Sequence, residues 1–184
     1  YLLTNDKDFK LKNSDGLTNL RIIESKEADA IFRPSVYYNI PKSQKFFEFV
    51  SKKNLNQVKG FNKDDIDLNF VDLKSGYTPL IQAIRNKDID MVEYLIALPG
   101  TDLNKVDNKK YCLPPLSHAI QMHNLQMMKL LIINGANVNE PSTNDKNPYN
   151  TPIMIASWSG KLEEVKLLVE SGACINQQDK GNGF

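Results

Sequence analysis

A segment of about 36 residues recurs along this chain, and that period restricts the fold before any local structure is assigned. Gly76-Tyr77-Thr78-Pro79-Leu80 opens one copy, which continues through Ile81-Gln82-Ala83-Ile84 and closes at Gly100-Thr101-Asp102-Leu103-Asn104. Pro114-Pro115-Leu116-Ser117-His118-Ala119-Ile120 opens the next, closing at Gly135-Ala136-Asn137-Val138-Asn139. Thr151-Pro152-Ile153-Met154-Ile155-Ala156 opens a third, closing at Gly172-Ala173-Cys174-Ile175-Asn176. The opening prolines stand 36 and 37 residues apart, and the closing asparagines 35 and 37 apart. Upstream, Phe46 to Val58 followed by Asp67-Leu68-Asn69 keeps the register at a spacing of 35. A unit of this size cannot bury an apolar face alone, so copies must stack and share one core.

Each unit reads as two helices and a turn. Thr78-Pro79 and Thr151-Pro152 are helix starts: Thr can cap the free amides, and Pro suits the first helical position. A short helix over 79–85 follows, with Leu80, Ala83 and Ile84 on the packed side. The second helix presents Ile89, Val92, Leu95 and Ile96 on one face, with counterparts Leu125, Met128, Leu131 and Ile132, then Leu162, Val165, Leu167 and Leu168. Gly135 and Gly172 follow those helices and suit a left-handed residue that ends a helix. Glu163 and Glu164 read as a solvated outer face. Asn104, Asn139 and Asn176 read as supports of their own turns through side-chain to backbone bonds.

These motifs resemble the ankyrin repeat, whose signature is a Gly-x-Thr-Pro-Leu-His-x-Ala-Ala opening, a Leu-Leu pair and a Gly-Ala-Asp-Val-Asn close. The resemblance covers roughly residues 44–184. It implies an all-α solenoid of stacked helix-turn-helix units with β-hairpin-like loops, preceded by an irregular N-terminal extension or extra cap at 1–43. Residues 44–72 form an N-cap repeat, followed by repeats at 73–107, 108–140 and 141–178, with 179–184 starting a further one. There are departures. The family His is replaced by Ile81, Ser117 and Met154, so its usual bonds between turns are expected to be absent. Cys112 stands in place of a turn Gly, Pro114 in place of the Thr, and a polar insertion lengthens the loop from Glu140 to Asn150. Within 1–43, the stretch Ile31 to Tyr38 looks extended.

Composition narrows the function. Among 184 residues, 23 Lys and Arg face 22 Asp and Glu, a net charge of +1. Nucleic-acid binders neutralise many phosphates, so this balance argues against one. No apolar run approaches the ~20 residues that span a bilayer, which argues against membrane insertion. His118 and His123 are five apart with no third ligand in reach, and Cys112 and Cys174 lie two units apart, too far for the ~7 Å that a disulfide allows. No phosphate loop, nucleophile motif or carboxylate pair appears. The expectation is therefore no enzyme, no catalytic residue, no metal and no cofactor. The compartment stays open: cytoplasmic, or exported if a signal segment preceded Tyr1.

What the resemblance implies is a partner protein held on the concave face, by positions that vary between repeats. On the first helices these are Arg85, Asn86, Gln121, Met122, Trp158 and Ser159. On the hairpins they are Lys74, Tyr77, Lys110, Tyr111, Tyr149 and Asn150. Trp, Tyr and Arg are the side chains most enriched at interface hot spots, and the chain's single Trp is among them. The leading expectation is a monomeric, non-catalytic interaction module or scaffold. The alternatives are an inhibitor or immunity-type protein that blocks an enzyme, and a regulatory region of a larger protein.

Overall fold

The computed structural model describes residues 35–109, 112–142 and 150–176, with side chains described from Pro41 onward. Eight α-helices occur among them: α1 (Ser35–Ser51), α2 (Leu55–Lys59), α3 (Pro79–Arg85), α4 (Ile89–Ile96), α5 (Pro115–Gln121), α6 (Leu125–Ile133), α7 (Pro152–Trp158) and α8 (Leu162–Glu170). A single 3-10 turn lies at Lys63–Asp65. The helices form four pairs. The first helices α1, α3, α5 and α7 pack side by side as an inner row, and each rests against its own second helix.

Local chemistry sets the helix ends. Thr78 Oγ1 accepts the Ile81 amide at 3.2 Å, and Pro79 fills the first position of α3. Thr151 breaks the expectation: its side chain makes no capping bond, and its hydroxyl is buried without a partner. The second helices are capped by Asn54, Asp88 and Asn124, each accepting an amide three residues on. The equivalent residue of the last pair is Lys161, which has no acceptor to offer. The turn inside each pair needs a left-handed residue, and Lys53, Lys87, His123 and Gly160 supply it with φ of 55°, 55°, 51° and 65°.

One core runs through the array. Phe46, Leu80, Ile84, Met91, Leu95, Leu116, Ile120, Met127, Leu131 and Leu168 are fully enclosed. Phe61 closes the first unit, edge-on to Phe46 at 5.5 Å. Between the second helix of one unit and the hairpin of the next, a two-residue device repeats. Asp67, Asp102 and Asn137 each accept the amide of the asparagine two residues on, which shapes the turn. That asparagine then reaches forward to the next unit. Asn69 accepts the Asp102 amide at 2.8 Å and donates to Gly100 O; Asn104 accepts the Asn137 amide at 2.8 Å; Asn139 accepts the Cys174 amide at 2.7 Å and donates to Gly172 O. These asparagines therefore clasp successive units rather than their own turns. At the hairpin tips the Asn108 amide donates to Gly76 O at 2.7 Å. Gly76 has φ +73°, and a Cβ there would lie 2.8 Å from Asn108 O, so only glycine fits.

The structure corrects three further expectations. Ser35–Tyr38, read as extended, belong to α1 despite their β-branched and aromatic content; the helix crosses the boundary expected at residue 44 and carries Pro41 inside it. Glu164 is buried rather than solvated, in the slot filled by Met91 and Met127 in the preceding pairs. Its Oε1 lies 3.2 Å from His123 Nδ1, while Oε2 has no partner. Leu168 aligns with buried Leu95, and Val169 rather than Leu168 with Ile96. Leu162 is 64% exposed, Ile175 69% and Val169 47%, although Ile89, Leu103 and Ile96 at the same places in an earlier unit are partly buried against the core. These three side chains meet no following unit among the described residues. The expected further repeat at 179–184 and most of the Glu140–Asn150 insertion lie outside the described residues.

A buried carboxylate with one empty lone-pair set is costlier than a well-packed apolar side chain of similar volume. Replacing Glu164 by Met, the residue of the earlier units, is expected to raise stability by about 1 kcal/mol in urea unfolding. His123 is half exposed and stays solvated without its partner. A fall in the unfolding midpoint would show that the His123 contact outweighs the burial cost.

Candidate functional site

The inner row presents a repeated position. Arg85, Gln121 and Trp158 are the last residues of α3, α5 and α7, and all three are exposed, Trp158 to 68%. The residue that follows each, Asn86, Met122 or Ser159, caps the helix and is half-buried. Asn86 is committed to the stack: its Nδ2 donates to Val50 O and Ser51 O of the first unit, and its Oδ1 accepts from Gln82. Ser159 donates to Ile155 O. Among the hairpin positions, Lys74 is exposed and Tyr77 half-buried, while Asn150 bonds through its amide and carbonyl to Ser142. Lys110, Tyr111 and Tyr149 lie outside the described residues.

Two of the expected residues meet directly. The Arg85 guanidinium carbon sits 4.7 Å from the centre of the Tyr77 ring, a cation–π arrangement. Lys109 Nζ lies 5.4 Å from the same ring. On its other side Arg85 Nη1 is 3.4 Å from His118 Nδ1, and His118 Nε2 is 2.7 Å from Asp107 Oδ2. Arg has only donors, so Nδ1 accepts and Nε2 carries the proton given to Asp107. Asp107 is itself fixed, its Oδ1 accepting the Lys109 and Leu113 amides. His118 stands one residue beyond the slot where the family places its histidine, and it is buried. The histidine bonds expected to be missing are thus partly replaced. The slot itself holds enclosed Ile81 and Ser117, whose hydroxyl is unpaired. The spacing of His118 from His123 carries no sign of this contact; the acid eleven residues upstream in the hairpin is the available signal.

The equivalent carboxylate of the preceding hairpin is Asp72. Burial pushes its pKa up, but donors from Gln44 Nε2 and from the Ser75 and Lys74 region outweigh this and hold the carboxyl below the usual aspartate value. Both cysteines are free thiols. Among the described residues no three His, Cys, Asp or Glu side chains converge as metal ligands would, and no helix is long and apolar enough to cross a membrane.

Stacked helix pairs joined by tight hairpins, with cross-unit asparagine clasps, define a helical repeat protein. Family models identify which kind: one for three copies of the ankyrin repeat matches residues 98–179, and one for a single ankyrin repeat matches 75–108. The chain belongs to the ankyrin-repeat family, whose repeats are protein-interaction modules. It is 34% identical over 106 residues to ankyrin repeat and SAM domain-containing protein 6 of Rattus norvegicus, covering 55% of this chain and 11% of that one. It is 35% identical over 98 residues to a B-cell lymphoma 3 protein homolog of Mus musculus, covering 53% and 20%. It is also 33% identical over 101 residues to glycerophosphocholine phosphodiesterase gde1 of Schizosaccharomyces pombe, covering 55% and 8%. The chain thus spans a fifth or less of the length of these relatives.

The lowered pKa of Asp72 makes a pH prediction. A folded value below the unfolded one stabilises the stack above the ordinary carboxylate range, and this contribution is lost as pH falls through the folded value. Asp72→Asn is therefore expected to cost stability at pH 7, and the gap to the parent chain should shrink below about pH 4. Urea unfolding at pH 7 and pH 3 reads it; an equal gap at both would mean that the charge contributes nothing.

Proposed function

We propose that the inner face of this stack, from the ends of α3, α5 and α7 to the adjoining hairpins, is a non-catalytic surface that holds a protein partner. The observation that carries the reading is the division of labour at the helix ends. Asn86 is spent on the stack and Ser159 on the end of its own helix, whereas their neighbours Arg85, Gln121 and Trp158 are exposed in register. An aromatic ring left 68% in water is costly unless something covers it, and Trp is the strongest hot-spot residue known at interfaces. On this reading Lys74, Tyr77, Met122 and Asn150, with Lys110, Tyr111 and Tyr149 from the hairpin tips, line the same surface. Its family supports the concave face as the binding side, and the same surface can serve a free-standing inhibitor or a region of a larger protein.

Trp158→Ala is the direct test. Partner captured by the parent chain from its host should bind the variant at least about tenfold more weakly. The melting temperature should stay within ~1 °C, as for a surface substitution away from packing. Undiminished capture, or a large loss of stability, would place Trp158 outside the binding surface.

A further inference from the structure

The net charge of +1 conceals an uneven spread of acids between the two rows of helices. The helices α3, α5 and α7 contain no Asp or Glu at all, and their one formal charge is Arg85. The second helices expose both signs: Asp90 and Glu93 on α4, Glu163, Lys166 and Glu170 on α8, Lys59 on α2 and Lys129 on α6. Beside the inner helices, the hairpins expose Lys74 and present Lys109, while their carboxylates Asp72 and Asp107 are buried and engaged by amide and side-chain donors. Among the described residues of this face, only α1, at the start of the row, exposes an acid, Glu48, flanked by Lys45 and Lys52.

Within this face Arg85 is held as few surface arginines are. Tyr77 supports one side of the guanidinium at 4.7 Å, and His118 meets Nη1 at 3.4 Å. His118 cannot swing away: its far nitrogen is tied to buried Asp107 at 2.7 Å, and its ring stands edge-on to Tyr77 at 5.6 Å. Three side chains from two successive units thus fix one cation. Yet among the described residues Arg85 makes no ion pair with a carboxylate, so its remaining donors stay free. A fixed guanidinium loses little entropy on binding, and its planar fork matches a carboxylate in a bidentate way.

Resting on the reading that the inner face binds a protein, we propose that its partner is an acidic segment, with an Asp or Glu carboxylate received by Arg85 between Lys74 and Lys109. His118 and Asp107 are positioning residues that act through Arg85. The few cations favour a peptide over nucleic acid, which needs many phosphate contacts for comparable affinity.

The test is selection of binders to the full 184-residue chain from a displayed library of random twelve-residue peptides, with Arg85→Gln, Arg85→Lys and Trp158→Ala as counter-screens. The expected pools are enriched in Asp and Glu over the input, bind Arg85→Gln about tenfold more weakly, and are only partly rescued by Arg85→Lys, which keeps charge but not the fork. Pools without acid enrichment, or acidic pools indifferent to Arg85→Gln, overturn the proposal. If such pools still need Trp158, the inner-face reading survives; indifference to both positions, or no binders, sinks both. A random RNA pool retained through Arg85 in preference to peptides would also overturn it.

Discussion

The helices from Pro79 to Glu170 are seven to nine residues long. In water an isolated helix shorter than ~12–15 residues is marginal even with the best formers. Each helix here therefore exists through its neighbours, and the contacts between units decide whether any unit folds. Apolar burial supplies most of that contact, but it is non-directional. The forward reach of Asn69, Asn104 and Asn139 fixes the spacing of each unit on the next, because one side chain meets one amide at 2.7–2.8 Å. Gly76 does the same at the hairpin tips, where a backbone bond leaves no room for a side chain.

Given that dependence, the positions free to do something else are few. In each inner helix the packed side fills the core, the cap residue turns the chain, and the position just before the cap faces outward. Arg85, Gln121 and Trp158 occupy it, so the stack sets their spacing without needing their chemistry. Irregularity accumulates towards the last described pair. Thr151 does not cap, Lys161 cannot, and Glu164 brings an unpaired carboxylate oxygen into an apolar slot. Nearest-neighbour stabilities of this kind make that pair the weakest link.

Most of the architecture was legible because the repeat carries it. The span of α3, the start of α4 and the glycines closing α6 and α8 follow from Thr-Pro, apolar spacing and Gly signals within a few residues. What was not legible depends on contacts across units. Glu164 looks like a surface acid in its own helix, and only register against Met91 and Met127 shows that its slot points inward. Leu162 looks like core by periodicity, but a face is buried only where something covers it. Val36 to Tyr38 favour strand locally, yet they lie in α1, since such local preferences are weak. At the candidate site, the family resemblance points to Arg85, whereas its fixing by His118 and Asp107 was not legible. That chain of contacts joins a helix to the hairpin of its own unit and to the helix before it.

Asparagine clasps couple the units into one cooperative array. Native-state hydrogen exchange on Asn104→Ala tests it, since Asn104 holds the Asn137 amide of the following unit. Loss of about 1 kcal/mol, roughly a fivefold faster exchange, is predicted as a group across α5 to α8. Acceleration confined to the Asn137 amide, with α7 and α8 unchanged, would contradict it.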